Sequence, residues 1–300
     1  MIKDYKGCIR NPEDSRDIRL GDIPYIPDPK CPSFAEGFDN EEKYGKLKRE
    51  HQGSSLSCVG QGWSKYVEML NLIETKKATD LSARFIYSQI ALNNGGAYIR
   101  DGAKIVTKQG DALQINVPDY MNGLNPNESF MKSLEGVDDA RPSAKIYKSL
   151  KYVWLDADKV NDDMRQIIWQ YGGFVSGYNG HCEFYSKFSQ INNIDAVCSI
   201  GSYGAGSDRW ITKDSPHRMY DATFLVDLPN SNNNMKLIQK AGTKEVYAVV
   251  DNIRYWILDP VTLESGEPIW GIWGTIHQED PSKYTYGGAI FITKTDDPLK

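Results

Sequence analysis

The sequence predicts an α+β protein, with helices gathered in its first half and strands in its second. Between Cys58 and Gly172, apolar residues recur at helical spacing. After Gly172 the chain breaks into short β-prone runs separated by Gly, Asn, Asp and Pro. With 40% apolar residues, 7 Trp and 18 Tyr, a chain of 300 residues can fill a substantial core. Such segregation points to one α+β fold, or to two subdomains with a cleft between them.

Taken in order, residues 1–50 are rich in Pro and charge, as in "NPEDSRDIRLGDIPYIPDPKCPSF", and read as an extended N-terminal arm packed across the body. Residues 51–160 read as a helical lobe. Its first helix runs from Cys58 to Glu74, with Val59, Trp63, Tyr66, Val67, Leu70 and Ile73 on the apolar stripe. A second, "LSARFIYSQIALN", spans Leu81 to Asn93, and either Asp80 or Ser82 can cap it. A third spans Ala97 to Gly110, which terminates it. Residues 161–300 read as a β-rich lobe, entered through a helix from Asp162 to Gly172. Its strands are "GFVSGY", "ATFLVDL", "MKLIQ", "EVYAVV", "RYWIL" and "GAIFITK", with Leu228 to Asn234 a loop. An inserted β module covers about 242–283. It is built on a two-stranded unit that turns at Asp251-Asn252. Its aromatics, among them Tyr255 and Trp256, read as core.

The net charge is -5 and no basic block occurs, which argues against a nucleic-acid partner. No apolar run is long enough to insert in a membrane. The N-terminus lacks the apolar centre of a signal peptide. A cytoplasmic or virion-associated location is therefore expected. The five cysteines (Cys8, Cys31, Cys58, Cys182 and Cys198) are odd in number and include no CxxC pair. Free thiols are expected, with no zinc site and no cofactor.

One cysteine stands out. In "HQGSSLSCVGQGWSKYVEML", Cys58 opens the first helix. A thiol there feels the positive end of the helix dipole and unpaired backbone N–H groups, both of which favour thiolate. Gln52 can bring a side-chain N–H to the same point. With the Cys58 N–H it would make an oxyanion hole, in which one donor supplies about 3 kcal/mol of barrier lowering. Gly53 permits the sharp turn between them. As a class, a cysteine at a helix start is more often an inert small residue than a nucleophile.

The whole string, Gln52-Gly53, three residues, Ser57-Cys58 and an amphipathic helix, resembles the active-site segment of papain-like cysteine peptidases. Ser55 stands where that family has a disulfide cysteine, Leu56 where it has a glycine and Val59 where it has an aromatic. "DLSARFIYSQI", "GGAYIRDGAKIVTKQG" and "YGGFVSGYNG" are similar to the segments that follow, and "PEDSRDIRL" to one that precedes. The likeness covers about residues 50–180. It implies a two-lobed papain-like fold, with a helical lobe carrying the nucleophile and a β-rich lobe.

The family takes its base from a strand of the second half. His51, His181 and His277 fit less well than His217: His181 follows "GGFVSGY" closely, and His277 reads as a loop residue. The register, however, puts Asp221 where the histidine belongs. Lys240, or else Pro268 in "PIWGIWGT", falls at the Asn that orients the imidazole. An Asp221–Lys240 salt bridge is one way to replace that pair. Three readings follow. One is a peptidase homologue whose hydrolysis is lost with His and Asn. Another is an active cysteine-type endopeptidase using Cys58, His217 and Gln52 on a polypeptide substrate. The last is a binding or structural module of a larger assembly such as a phage virion, with a protein partner.

Overall fold

The computed structural model describes residues 7–23, 25, 27–121, 124–149, 151–226, 236–239, 246–250, 253–257, 276–278, 280–283 and 285–290. By internal contacts the chain forms two units, Met1–Arg19 with Pro27–Asp227, and Leu20–Ile26 with Leu228–Lys300. The division thus falls at Asp227/Leu228, upstream of the position near 242 at which the sequence suggests an inserted module.

In the first unit, a short strand β1 (Cys8–Ile9) is followed by β2 (Phe38–Asp39) and a helical turn, α1 (Asn40–Tyr44). Among the described residues of the arm, regular structure is limited to these elements and a 3-10 turn at Leu20–Asp22. The arm is held on the body by the Arg100–Asp17 ion pair, at 2.5 Å, and by the Trp154 N–H on Ile18 O, at 2.9 Å. Helix α2 (Cys58–Thr75) begins at the residue the sequence names and ends where Lys76 turns left-handed. Helix α3 (Ala83–Ile90) is capped by Ser82, whose Oγ accepts the Phe85 N–H at 3.0 Å. It stops short of Asn93 because the Leu92 N–H turns to Gly96 O. Ala97 and Tyr98 leave the third predicted helix to form β3 (Ala97–Tyr98), parallel to β1, so α4 (Ile99–Lys108) starts later than the periodicity suggests. Two short helices follow, α5 (Glu128–Met131) and α6 (Val137–Ala144).

Strand β4 (Lys151–Trp154) and helix α7 (Asp162–Tyr171) lead to β5 (Phe174–Tyr178), β6 (His181–Ile191), β7 (Ile194–Ile200), β8 (Arg209–Thr212) and β9 (Met219–Val226). Gly172 takes φ 78°, the left-handed stop expected of it. These strands form one antiparallel sheet in the order β4-β9-β5-β6-β7-β8, with β2 paired to β6. Although β4 lies within the stretch read as helical lobe, it pairs with β9 over four residues.

Helix α2 lies against β6. The Tyr66 ring stacks on Phe184 at 4.9 Å and on Trp63 at 6.1 Å, all fully buried. Burying each such ring stabilises by roughly 1.5–3 kcal/mol. Gly62 lets helix and strand approach: a Cβ there would lie 3.3 Å from Cys182 Sγ.

The second unit carries a sheet of β10 (Lys236–Gln239), β11 (Val246–Val250), β12 (Ile253–Ile257), β13 (Ile276–Gln278) and β14 (Thr285–Ile290), in the order β13-β10-β11-β12-β14. The expected two-stranded unit is the antiparallel β11–β12 pair, with Val250 opposite Ile253. The Asp251-Asn252 turn, the Leu228 to Asn234 loop and "PIWGIWGT" lie outside the described residues.

Candidate active site

Cys58 is the first residue of α2, and its side chain is fully buried. Ser57 precedes it without capping the helix through its side chain. Its Oγ meets Ser55 Oγ at 2.7 Å instead. The helix mouth favours a thiolate, but the surroundings reverse that preference. Burial pushes the thiol well above its ordinary range, and neighbouring Cys8 adds to the rise. The Cys182 N–H on the sulfur pulls the other way, Glu183 raises it further, and the Val59 N–H again lowers it. The net shift is upward, toward the thiol form.

The cover over this sulfur is the chain's own N-terminal segment. A Cβ on Gly7 would come within 2.8 Å of Cys58 Sγ and 3.0 Å of Leu56 O, so only glycine fits there. Ala97 N–H donates to Gly7 O, and Cys8 N–H to Gly180 O, each at 3.0 Å. The Tyr220 hydroxyl donates to Cys8 O at 3.1 Å. The segment thus bridges the helical part and the sheet directly over the thiol.

Gln52 is also buried. Its Nε2 donates to Ser55 O at 2.9 Å, and its Oε1 accepts from Ser202 Oγ at 2.6 Å. Ser202 Oγ in turn lies 3.2 Å from His181 Nε2. Since the Ser202 hydroxyl donates to Gln52, its oxygen is free to accept an Nε2–H from His181. The His181 ring stacks on Tyr203 at 5.4 Å, and Glu183 Oε1 stands 3.8 Å from Nε2. Burial lowers the His181 pKa; Glu183 works against that and Arg209 with it. A polar chain therefore runs His181–Ser202–Gln52–Ser55–Ser57 and ends beside Cys58.

His181 is the residue that reading along the sequence passes over. The signal that finds it is Asn179-Gly180, with φ 51° and 76°, the two-residue turn that sets Tyr178 opposite His181. The close spacing that counted against His181 is a tight hairpin. His217 lies exposed in the turn before β9, its ring edge-on to Tyr178 at 5.7 Å. His51 accepts the Gly53 N–H through Nδ1 at 3.0 Å. His277 is not a loop residue: it sits in β13, opposite Ile238 of β10. Asp221 has φ 53° at a bulge of β9 and accepts the backbone and side-chain N–H groups of Asn11 at 2.7 and 2.8 Å. Its place is thus to hold the arm. Lys240 and Pro268 lie outside the described residues. Among the described residues no group of three or more His, Cys, Asp or Glu side chains is arranged to hold a metal ion, and no helix is long and apolar enough to cross a membrane.

No family model and no curated protein matches the sequence. Solved structures do match. Xylellain, a cysteine protease from Xylella fastidiosa, aligns with 75% of this chain and 97% of its own, at TM-score 0.58 and 16% identity. Procathepsin B S9 from Trypanosoma congolense aligns with 76% and 88%, at 0.53 and 10%. Digestive procathepsin L 3 of Tenebrio molitor larval midgut aligns with 75% and 77%, at 0.52 and 11%.

Proposed function

This chain has the papain-like fold, and on that premise we propose a cysteine-peptidase homologue that engages extended polypeptide without hydrolysing it in the form described above. One observation carries this reading: Cys58 is fully buried, in surroundings that push its thiol upward, with Gly7 against its sulfur. The thiolate is the nucleophile, so a dry, neutral thiol does not attack a carbonyl. Polypeptide is the natural ligand class because the neighbours of like fold are proteases, and because strand β3 already pairs with an extended segment. A binding or structural role within a larger assembly is one form of the same reading.

The test is alkylation of Cys58 by iodoacetamide across pH, on the intact chain, with Cys58→Ala as control. Slow labelling that accelerates only in alkali supports the reading. Fast labelling well below pH 7 overturns it.

A second reading, an active cysteine endopeptidase, is favoured by the polar chain from His181 to the helix mouth. Here Cys58 attacks the peptide carbonyl, and Gln52 with the Cys58 N–H holds the oxyanion. His181 moves the proton in place of His217. Peptide hydrolysis that is lost in His181→Ala and kept in His217→Ala would establish it. The reverse result would restore His217.

A further inference from the structure

We propose that Cys8 and Cys182 are an oxidisable dithiol pair, and that their disulfide staples the N-terminal segment across Cys58. This rests on the reading that the segment silences the thiol. The pair is set by backbone geometry. Cys8 N–H donates to Gly180 O at 3.0 Å, which brings residue 8 beside the start of β6. Tyr220 holds the carbonyl of the same residue at 3.1 Å. Cys182 lies two positions beyond Gly180, opposite Gly177, with its sulfur 3.3 Å from a Cβ built on Gly62. Burial raises the Cys182 thiol, and the neighbouring Cys8 side chain adds to that rise. Cys58 belongs to the same cluster, but its sulfur faces Gly7 and the Cys182 N–H. Cys31 and Cys198 turn instead to backbone carbonyls, of Pro32 and Ser199, each at 3.6 Å.

The oxidant is a small peroxide. Cys8 is 5% exposed, against 0% for both Cys58 and Cys182, so Cys8 meets it first. The Cys8 sulfur attacks one peroxide oxygen, the O–O bond breaks, and sulfenic acid and water result. The Cys182 sulfur then attacks the Cys8 sulfur, an S–S bond forms, and a second water leaves with the remaining proton. The two thiols lose two electrons and two protons, and hydrogen peroxide becomes two waters. A small dithiol reverses the step by exchange. A covalent bond between residues 8 and 182 removes the open state that any polypeptide needs to reach Cys58.

The intact protein is treated with stoichiometric hydrogen peroxide, alkylated after denaturation and mapped by peptide mass spectrometry. A Cys8–Cys182 linkage is expected. It should be absent in Cys8→Ser and restored to free thiols by dithiothreitol. Oxidised protein should also resist removal of the segment by limited proteolysis. A Cys8–Cys58 linkage, or five thiols still free, overturns the proposal. Cys182→Ala, which keeps the site apolar, checks that loss of the linkage does not come from misfolding: its circular dichroism should match that of the parent. Iodoacetamide labelling of Cys58 in Cys8→Ser separates the two ideas. Fast labelling below pH 7 in both this variant and the parent overturns the proposed function, whereas a missing linkage with slow labelling in both overturns the staple alone.

Discussion

Around Cys58 the neighbours are two further cysteines and main chain; around His181 they are a hydroxyl, a carboxylate and a stacked phenol ring. Burial pushes both groups toward their neutral forms, but the burying residues differ in kind. The cover of Cys58 comes from Gly7 and Cys8, which sit on an arm held at a few points. The surroundings of His181 are residues of the sheet and its following loop, namely Glu183, Ser202 and Tyr203. On the proposed reading the thiol depends on where the arm lies, whereas the lowering at His181 comes from residues of the sheet and its following loop. A group's charge is set by which neighbours remain when something moves, and depth alone does not decide it.

The strongest way to break this contrast is Arg100→Met. It strips the partner from half-buried Asp17 and loosens the arm. Removing one member of such a pair costs about 3–5 kcal/mol, readable by denaturant unfolding, and Cys58 should then alkylate faster. Unchanged alkylation would show that the arm does not govern the thiol. Next comes Gln52→Ala, which leaves the Ser202 hydroxyl and Ser55 carbonyl without their buried partner. A loss of about 1–3 kcal/mol is expected, together with a shift in the His181 imidazole resonances and little change at Cys58. Titration sharpens the comparison further. The folded His181 pKa lies below its ordinary value, so the unfolded chain binds the proton first as pH falls. Stability from this group is present above about pH 6.5 and is lost as pH falls through the folded value. His181→Gln should flatten that part of the stability–pH curve. A separate acid limb should survive the substitution. Burial raises the Glu41 carboxyl, but Arg49, the Leu47 N–H and Lys187 together hold it at about 2. Its contribution is present above about pH 4.5 and falls away toward pH 2. The smallest effect belongs to His217→Ala: exposed and touching only the Tyr178 ring edge among the ring contacts, it should change stability by no more than about 0.5 kcal/mol. A larger loss, or altered Cys58 alkylation, would return His217 to the site.

Much of the fold is legible along the chain because its signals are local. The apolar stripe through Trp63 and Tyr66 marks α2, Ser82 marks the start of α3, and Gly172 marks the end of α7. Each depends on residues within a few positions of one another. The start of α4 is not legible, because Ala97 and Tyr98 are taken by Cys8 and Ile9, far away in sequence. His181 is partly legible: Asn179-Gly180 announces a hairpin, but nothing local says that Ser202 closes on its Nε2.

By itself the sequence determined that a cysteine opens an amphipathic helix, that Gln52 lies a short turn before it, and that strands follow helices. Periodicity and capping act over one or two turns of chain, so a single sequence carries them. Only the tertiary structure decided that Cys58 is buried where its thiol is pushed upward, that Gly7 lies on its sulfur, and that a hydrogen-bonded chain links His181 to Gln52. Those outcomes depend on desolvation and on hydrogen bonds between distant segments, and both exist only once the chain has closed on itself.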